Sequence, residues 1–86
     1  MSAAFPAIVE RAGDSYSVFF PDLPGCTSAG RSVEEAAAMA QRALGAHLSL
    51  MAAHGEEIPS ASALEGIEFD PDVDEVARVM IEAGRF

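Results

Sequence analysis

The chain has no lysine, and its five arginines face fourteen carboxylates, for a formal net charge of −9. Phosphate binding needs clustered Lys and Arg, so these residues are not expected to bind nucleic acid directly. Cysteine is nearly absent too. A single Cys26 excludes an internal disulfide and fits a reducing cytoplasm. The N-terminus lacks a basic stretch followed by an apolar run, so no secretory leader is expected. The longest weakly polar run, residues 36–53, is interrupted by Gln41, Arg42, His47 and Ser49, which makes it a poor membrane span.

The residue types that carry chemistry are equally sparse. His47 and His54 are two helical turns apart, about 10 Å, whereas ligands on one helix want i, i+3 or i+4 spacing. No cysteine or carboxylate cluster brackets them, so no metal site is expected. Cys26 has only Arg31 near it in sequence, and Ser28 and Ser32 have no His or Lys at a recognised spacing. Nothing here marks a nucleophile.

What is present is a core. Half of the 86 residues are apolar, enough for one small domain whose own core is marginal and which self-association would help. The acid is unevenly spread: Glu56, Glu57, Glu65, Glu68, Asp70, Asp72, Asp74 and Glu75 follow one another with no basic residue between. Such a run is either a solvated loop that keeps the protein soluble or a surface that attracts a basic partner.

Residues 4–10 read as a first strand, with Pro6 near its start, where an edge tolerates a missing N–H. Residues 12–15 form a turn, and residues 16–20 a second strand with Tyr16, Val18 and Phe20 on one face. Residues 27–31 are a short third strand. Ser32 then caps a helix, with Glu35 placed for a capping box and Glu34 beside it in the first turn. The helix runs to about His54 and stops at Gly55.

Two apolar rows lie on that helix. Val33, Ala37, Ala40, Leu44, Leu48 and Met51 are the expected core face, and Ala36, Met39, Ala43, Ala46, Leu50 and Ala53 form the second row. One sheet cannot easily cover both, which predicts a homo-oligomer joined through Met39, Ala43, Ala46 and Leu50. Gly45, which costs about 1 kcal/mol against alanine in mid-helix, suits a close backbone approach. Residues 57–72 read as an extended connector. The last segment suits a helix from Asp72 or a strand over residues 77–82, and its β-branched content favours the strand.

The full order is specific: a strand, Phe20-Pro21-Asp22-Leu23-Pro24-Gly25-Cys26, a short polar strand, the Ser32-Val33-Glu34-Glu35-Ala36 helix start, then His54-Gly55-Glu56-Glu57-Ile58-Pro59. Over roughly residues 5–60 it resembles the N-terminal domain of HicB-type antitoxins. The resemblance implies an α+β fold, a small antiparallel sheet with one long helix on a face in the order β-β-β-α-β, like a partial ribonuclease H. Nucleases of that type need three or four carboxylates on central strands to hold two metals. The expected strands carry only Glu10 and Glu82, so no enzyme activity and no cofactor are expected.

The resemblance also implies a partner, a small basic HicA-like ribonuclease toxin whose catalytic histidine is covered on binding. An acidic protein suits that task. The contact residues expected are Asp22, Leu23 and Pro24 in the rigid turn, with Glu65, Glu68, Asp70, Asp72 and Asp74 as steering charge. Asp22 either accepts a backbone N–H within its own turn or presents a fixed carboxylate to the partner. Such antitoxins commonly continue into a DNA-binding domain. This chain ends at Gly84-Arg85-Phe86, so residues 1–86 read as one domain without it. The alternative function is a stand-alone oligomeric ligand- or peptide-binding module with no toxin partner.

Overall fold

Alternation decides the ambiguous last segment. In the computed structural model, which describes residues 3–83, it is a strand, and the element order is β1 (Ala4–Ala12), β2 (Ser15–Phe19), β3 (Thr27–Gly30), α1 (Val33–Ala53) and β4 (Glu75–Glu82). A short 3-10 turn at Leu64–Gly66 punctuates the connector. The four strands make one antiparallel sheet in the order β3-β2-β1-β4, with α1 on one face. This is the expected α+β architecture.

The β1–β2 hairpin turns through Gly13 at φ 61, a left-handed conformation that a side chain would resist. β4 returns to the far side of β1, so β1 is an inner strand and Pro6 does not sit on a sheet edge. The ladder explains why it is tolerated. The Ala83 N–H donates to the Ala3 carbonyl at 2.7 Å, which makes Ala3 and Ala83 a hydrogen-bonded pair. Two residues on per step, Phe5/Ile81 and Ala7/Val79 are bonded pairs, and Pro6/Met80 is a non-bonded one. The proline nitrogen therefore faces the β2 side, where pairing begins only at Ile8↔Phe19. No ladder bond is lost.

Helix α1 starts and stops where its ends can satisfy their backbone groups. The Ser32 hydroxyl accepts the Glu35 N–H at 3.0 Å, and the Glu35 carboxylate accepts the Arg31 N–H at 2.8 Å, one residue outside the expected capping box. At the other end the Glu56 N–H reaches the Met51 carbonyl and the Gly55 N–H reaches Ala52, with Gly55 at φ 69. That is a Schellman ending.

Ala36, Ala40, Leu44 and Leu48 are fully buried, against Phe5, Ala7, Val9, Val18, Phe20 and Ile81 from the sheet. Ala36, expected in the outer row, is core. The reason is the close approach of the helix start to β3: a Cβ on Gly30 would lie 2.5 Å from the Ala36 nitrogen. Val33, Ala37 and Met51 pack at the margin. Gly45 faces the Ala83 carbonyl of its own chain, at an ordinary 3.5 Å from where its Cβ would be. Its close approach is internal.

The other sheet face is not bare. Pro6 and Ile8 point there, away from the helix, yet both are buried. The connector folds back across that face, with Ile67 and Val73 meeting Ile8, Phe19 and Pro21 around one shallow groove.

Candidate partner-binding surface

Two overlapping turns build the projecting loop between β2 and β3. The Leu23 N–H donates to the Phe20 carbonyl at 3.0 Å with Pro21 in the second position. The Cys26 N–H donates to Leu23 at 3.0 Å with Pro24 second and Gly25 third at φ 88, a type II arrangement in which the glycine is required. The Phe20 N–H closes the loop onto the Cys26 carbonyl. Phe20, Leu23 and Cys26 anchor it in the core, while Pro21, Pro24 and Gly25 are exposed. Leu23 is 2 % exposed, so its part is to hold the turn rather than to touch another molecule.

Asp22 finds its hydrogen-bond partners outside its own turn. Its Oδ2 accepts the Ser62 N–H and its Oδ1 accepts the Ser62 hydroxyl, each at 2.7 Å, which ties the turn to the connector. Between this tie and the second half of α1 lies an open groove of about 530 Å³. Pro24, Leu50 and Met51 supply its apolar surface, and Glu56 and Glu57 join Asp22 as carboxylates. Leu50 is 60 % exposed. His47 and His54 both reach this groove, and His54 Nδ1 stands 3.8 Å from Glu56.

The acidic connector runs on a different side. Glu65, Glu68, Asp70, Asp72 and Asp74 are all exposed, and Glu68 and Asp70 rim the groove on the outer sheet face, with Glu75. Asp70 also accepts the Asp72 N–H at 2.9 Å. Arg78 holds this segment in place. Its Nε and Nη2 donate to the two Glu75 oxygens at 2.7 and 2.9 Å, and Nη1 donates to the Leu64 and Ile67 carbonyls at 3.0 and 2.8 Å. Those bonds draw Glu75 below the usual carboxylate range. Sequence reasoning missed Arg78. The signal was its place as the lone base in a strand bordering eight acids.

The expected contact residues thus divide: Asp22 and Pro24 line the helix-side groove, and the Glu65–Asp74 acids lie along the connector beyond Ser62. Of the expected self-association row, Met39 and Leu50 are exposed, Ala46 is exposed and Ala43 is half-buried.

Burial pushes the Cys26 thiol up, away from the thiolate a nucleophile needs. Among the described residues no group of three or more His, Cys, Asp or Glu is placed to hold a metal ion. Glu10 hydrogen-bonds Ser17 at 3.2 Å, and Glu82 lies exposed on the edge strand. Among the described residues no helix is long and apolar enough to cross a membrane.

Residues 5–84 match the family of HicB-like antitoxins of bacterial toxin–antitoxin systems. An uncharacterized 14.9 kDa protein in the rep–hol intergenic region of Haemophilus phage HP1 is 38% identical over 61 residues, 71% of this chain. Those residues are 46% of the phage protein, so the chain spans about half the length of the curated relative it matches. The crystal structure of the N-terminal domain of the Burkholderia pseudomallei antitoxin HicB is similar at a TM-score of 0.76 and 24% identity, over 92% of this chain and 95% of that one. A HicA3 and HicB3 toxin–antitoxin complex contains a chain similar at a TM-score of 0.75 and 20% identity, over 91% and 94%. At these identities the likeness is one of fold.

Proposed function

Because this chain belongs to the HicB-like antitoxins of bacterial toxin–antitoxin systems, we propose that it binds a small basic HicA-like ribonuclease toxin in the cytoplasm and neutralises it by covering its active site. The observation that carries this reading is the helix-side groove, where a turn anchored by Phe20, Leu23 and Cys26 stands beside exposed Leu50 and the carboxylates of Glu56 and Glu57. A preformed loop loses little entropy on binding, so its contacts act at nearly full strength. Pro24 and Leu50 offer an apolar anchor there, and Asp22 sets the position of the turn.

The exposed acids Glu65, Glu68, Asp70, Asp72 and Asp74 steer a basic partner toward this surface without themselves carrying much of the affinity. The mechanism asks for no chemistry from the antitoxin. RNA is excluded because the toxin's positive surface and catalytic histidine are occupied.

Co-expression with the product of the adjacent gene, followed by a pull-down and an RNA-cleavage assay, tests the reading. The expected result is a stable complex in which cleavage is suppressed, with the antitoxin alone inert toward RNA and DNA in Mg²⁺ or Mn²⁺. A small basic neighbour that neither co-purifies nor loses activity would overturn it in favour of a stand-alone ligand- or peptide-binding module.

A further inference from the structure

The two edges of the sheet are unlike. β3 is four residues long, and the start of α1 lies against it: the Ser28 hydroxyl donates to the Ala36 carbonyl at 3.1 Å, and Gly30 meets Ala36 backbone to backbone. β4 is eight residues long, pairs only with β1 among the described residues, and carries neither proline nor lysine, the residues that usually blunt an edge. The ladder alternation directs the N–H and C=O groups of Arg78, Met80 and Glu82 away from β1. The Gln41 side chain, which donates to the Glu82 carbonyl at 2.9 Å, covers one of these groups and leaves that oxygen a second lone pair. Met80 and Val76, on the outer face of the strand, are 45 % and 42 % exposed.

We propose that β4 is a self-pairing edge, and that two copies of this chain join β4 to β4 antiparallel about a two-fold axis through Met80. The strand is self-complementary in that register. Met80 lies opposite Met80 of the second copy, and Arg78 lies opposite Glu82 of the second copy in both symmetric places. Four of the five Arg78 N–H groups are already used, and the fifth, on Nη2, is available to that carboxylate.

On the helix-facing side Val79 comes opposite Ile81, extending the apolar layer where Ala77 and Val79 are only half covered. A register centred on Arg78 would set arginine against arginine, which is destabilising. One centred on Val79 would pair each Arg78 with Met80, bringing no second carboxylate to the N–H group that Glu75 leaves over. The result is an eight-stranded sheet with both helices on one face. It leaves the helix-side groove free, and it is independent of the toxin reading.

Sedimentation velocity on the protein alone should show a dimer at micromolar concentration, and a monomer throughout would overturn the proposal. Register is read by disulfide trapping. In a Cys26→Ser background, Met80→Cys places two sulfurs on residues whose Cα atoms lie about 5.5 Å apart in a bonded antiparallel pair, within disulfide reach. Oxidation should convert most of the protein to covalent dimer, while Met39→Cys and Leu50→Cys should not cross-link. Cross-linking of either helix variant in place of Met80→Cys would show that the copies join through α1 and would overturn the edge pairing.

Met80→Pro removes an N–H that β1 does not use, so it should weaken the dimer at least tenfold with the circular dichroism of the sheet retained. Should that variant fail to fold, Met80→Lys gives the same reading, and a lysine variant that dimerises unchanged counts against the proposal.

Discussion

Asp22 and Ser62 stand 40 residues apart in the chain, yet both Asp22 oxygens accept bonds from Ser62, one from the backbone N–H and one from the hydroxyl, each at 2.7 Å. The rigid turn and the acidic connector are therefore one mechanical unit. Replacing Asp22 by alanine hands the exposed Ser62 N–H to water and should cost about 0.5–1.5 kcal/mol, the net scale of a typical hydrogen bond. The effect should be local as well as global. Hydrogen exchange at Ser62 and proteolysis between Pro59 and Leu64 should both accelerate. Unchanged exchange at Ser62 would mean the tie contributes nothing in solution.

Two glycines should respond oppositely to alanine. At Gly30 the new Cβ would sit 2.5 Å from the Ala36 nitrogen, so β3 or the start of α1 must shift, at a cost of about 1–3 kcal/mol. At Gly45 the new Cβ meets only an ordinary 3.5 Å contact, and the gain in helix propensity should add up to about 1 kcal/mol. Each kcal/mol moves the melting temperature of a domain this size by roughly 4–8 °C, so thermal denaturation separates the two cleanly.

Acid should loosen the connector first. Glu75 is held below the ordinary carboxylate range, chiefly by its hydrogen bonds from Arg78 and then by the arginine charge. Its stabilising contribution is therefore complete above the unfolded-state value and disappears as pH falls through the lower folded-state value. Glu75→Gln should be less stable than the parent at neutral pH, and the gap in melting temperature should narrow on acidification. A constant gap across the pH range would show that the charge is not what matters.

Binding to a basic toxin should split into two kinetic classes. Neutralising Glu65, Glu68, Asp70, Asp72 and Asp74 together should slow association, most at low salt, with dissociation nearly unchanged. Leu50→Glu or Pro24→Asp, in the groove, should instead speed dissociation. Leu23→Asp is not a test of contact, because that side chain is buried and its loss would unfold the turn. Surface plasmon resonance on the pair measures both rates. Should neither set alter them, the toxin is held by another face.

Local chemistry was legible because it depends on neighbours in sequence. Gly25 after Pro24, Ser32 before a helical run, Gly55 after one, and the alternation of β4 each name a conformation that the surrounding residues can satisfy by themselves. The hydrophobic periods of 2 and 3.6 then give a sheet with a helix on it. The boundary between core and outer row on α1 was misread at Ala36, because periodicity reports a face and not the tilt of the helix across the sheet.

What only the tertiary structure decided are the relations between distant residues. That β1 is an inner strand follows from β4 closing on its far side, a pairing across some seventy residues that no local signal encodes. The roles of Asp22 and Arg78 were hidden for the same reason. A carboxylate or a guanidinium is identified by what it binds, and Ser62, Leu64 and Ile67 reach them only when the connector folds back over the sheet. Composition determined the acidic balance and the supply of apolar residues for a core. The path of the chain determined which acids are tied, which are free, and which strand edge is left open.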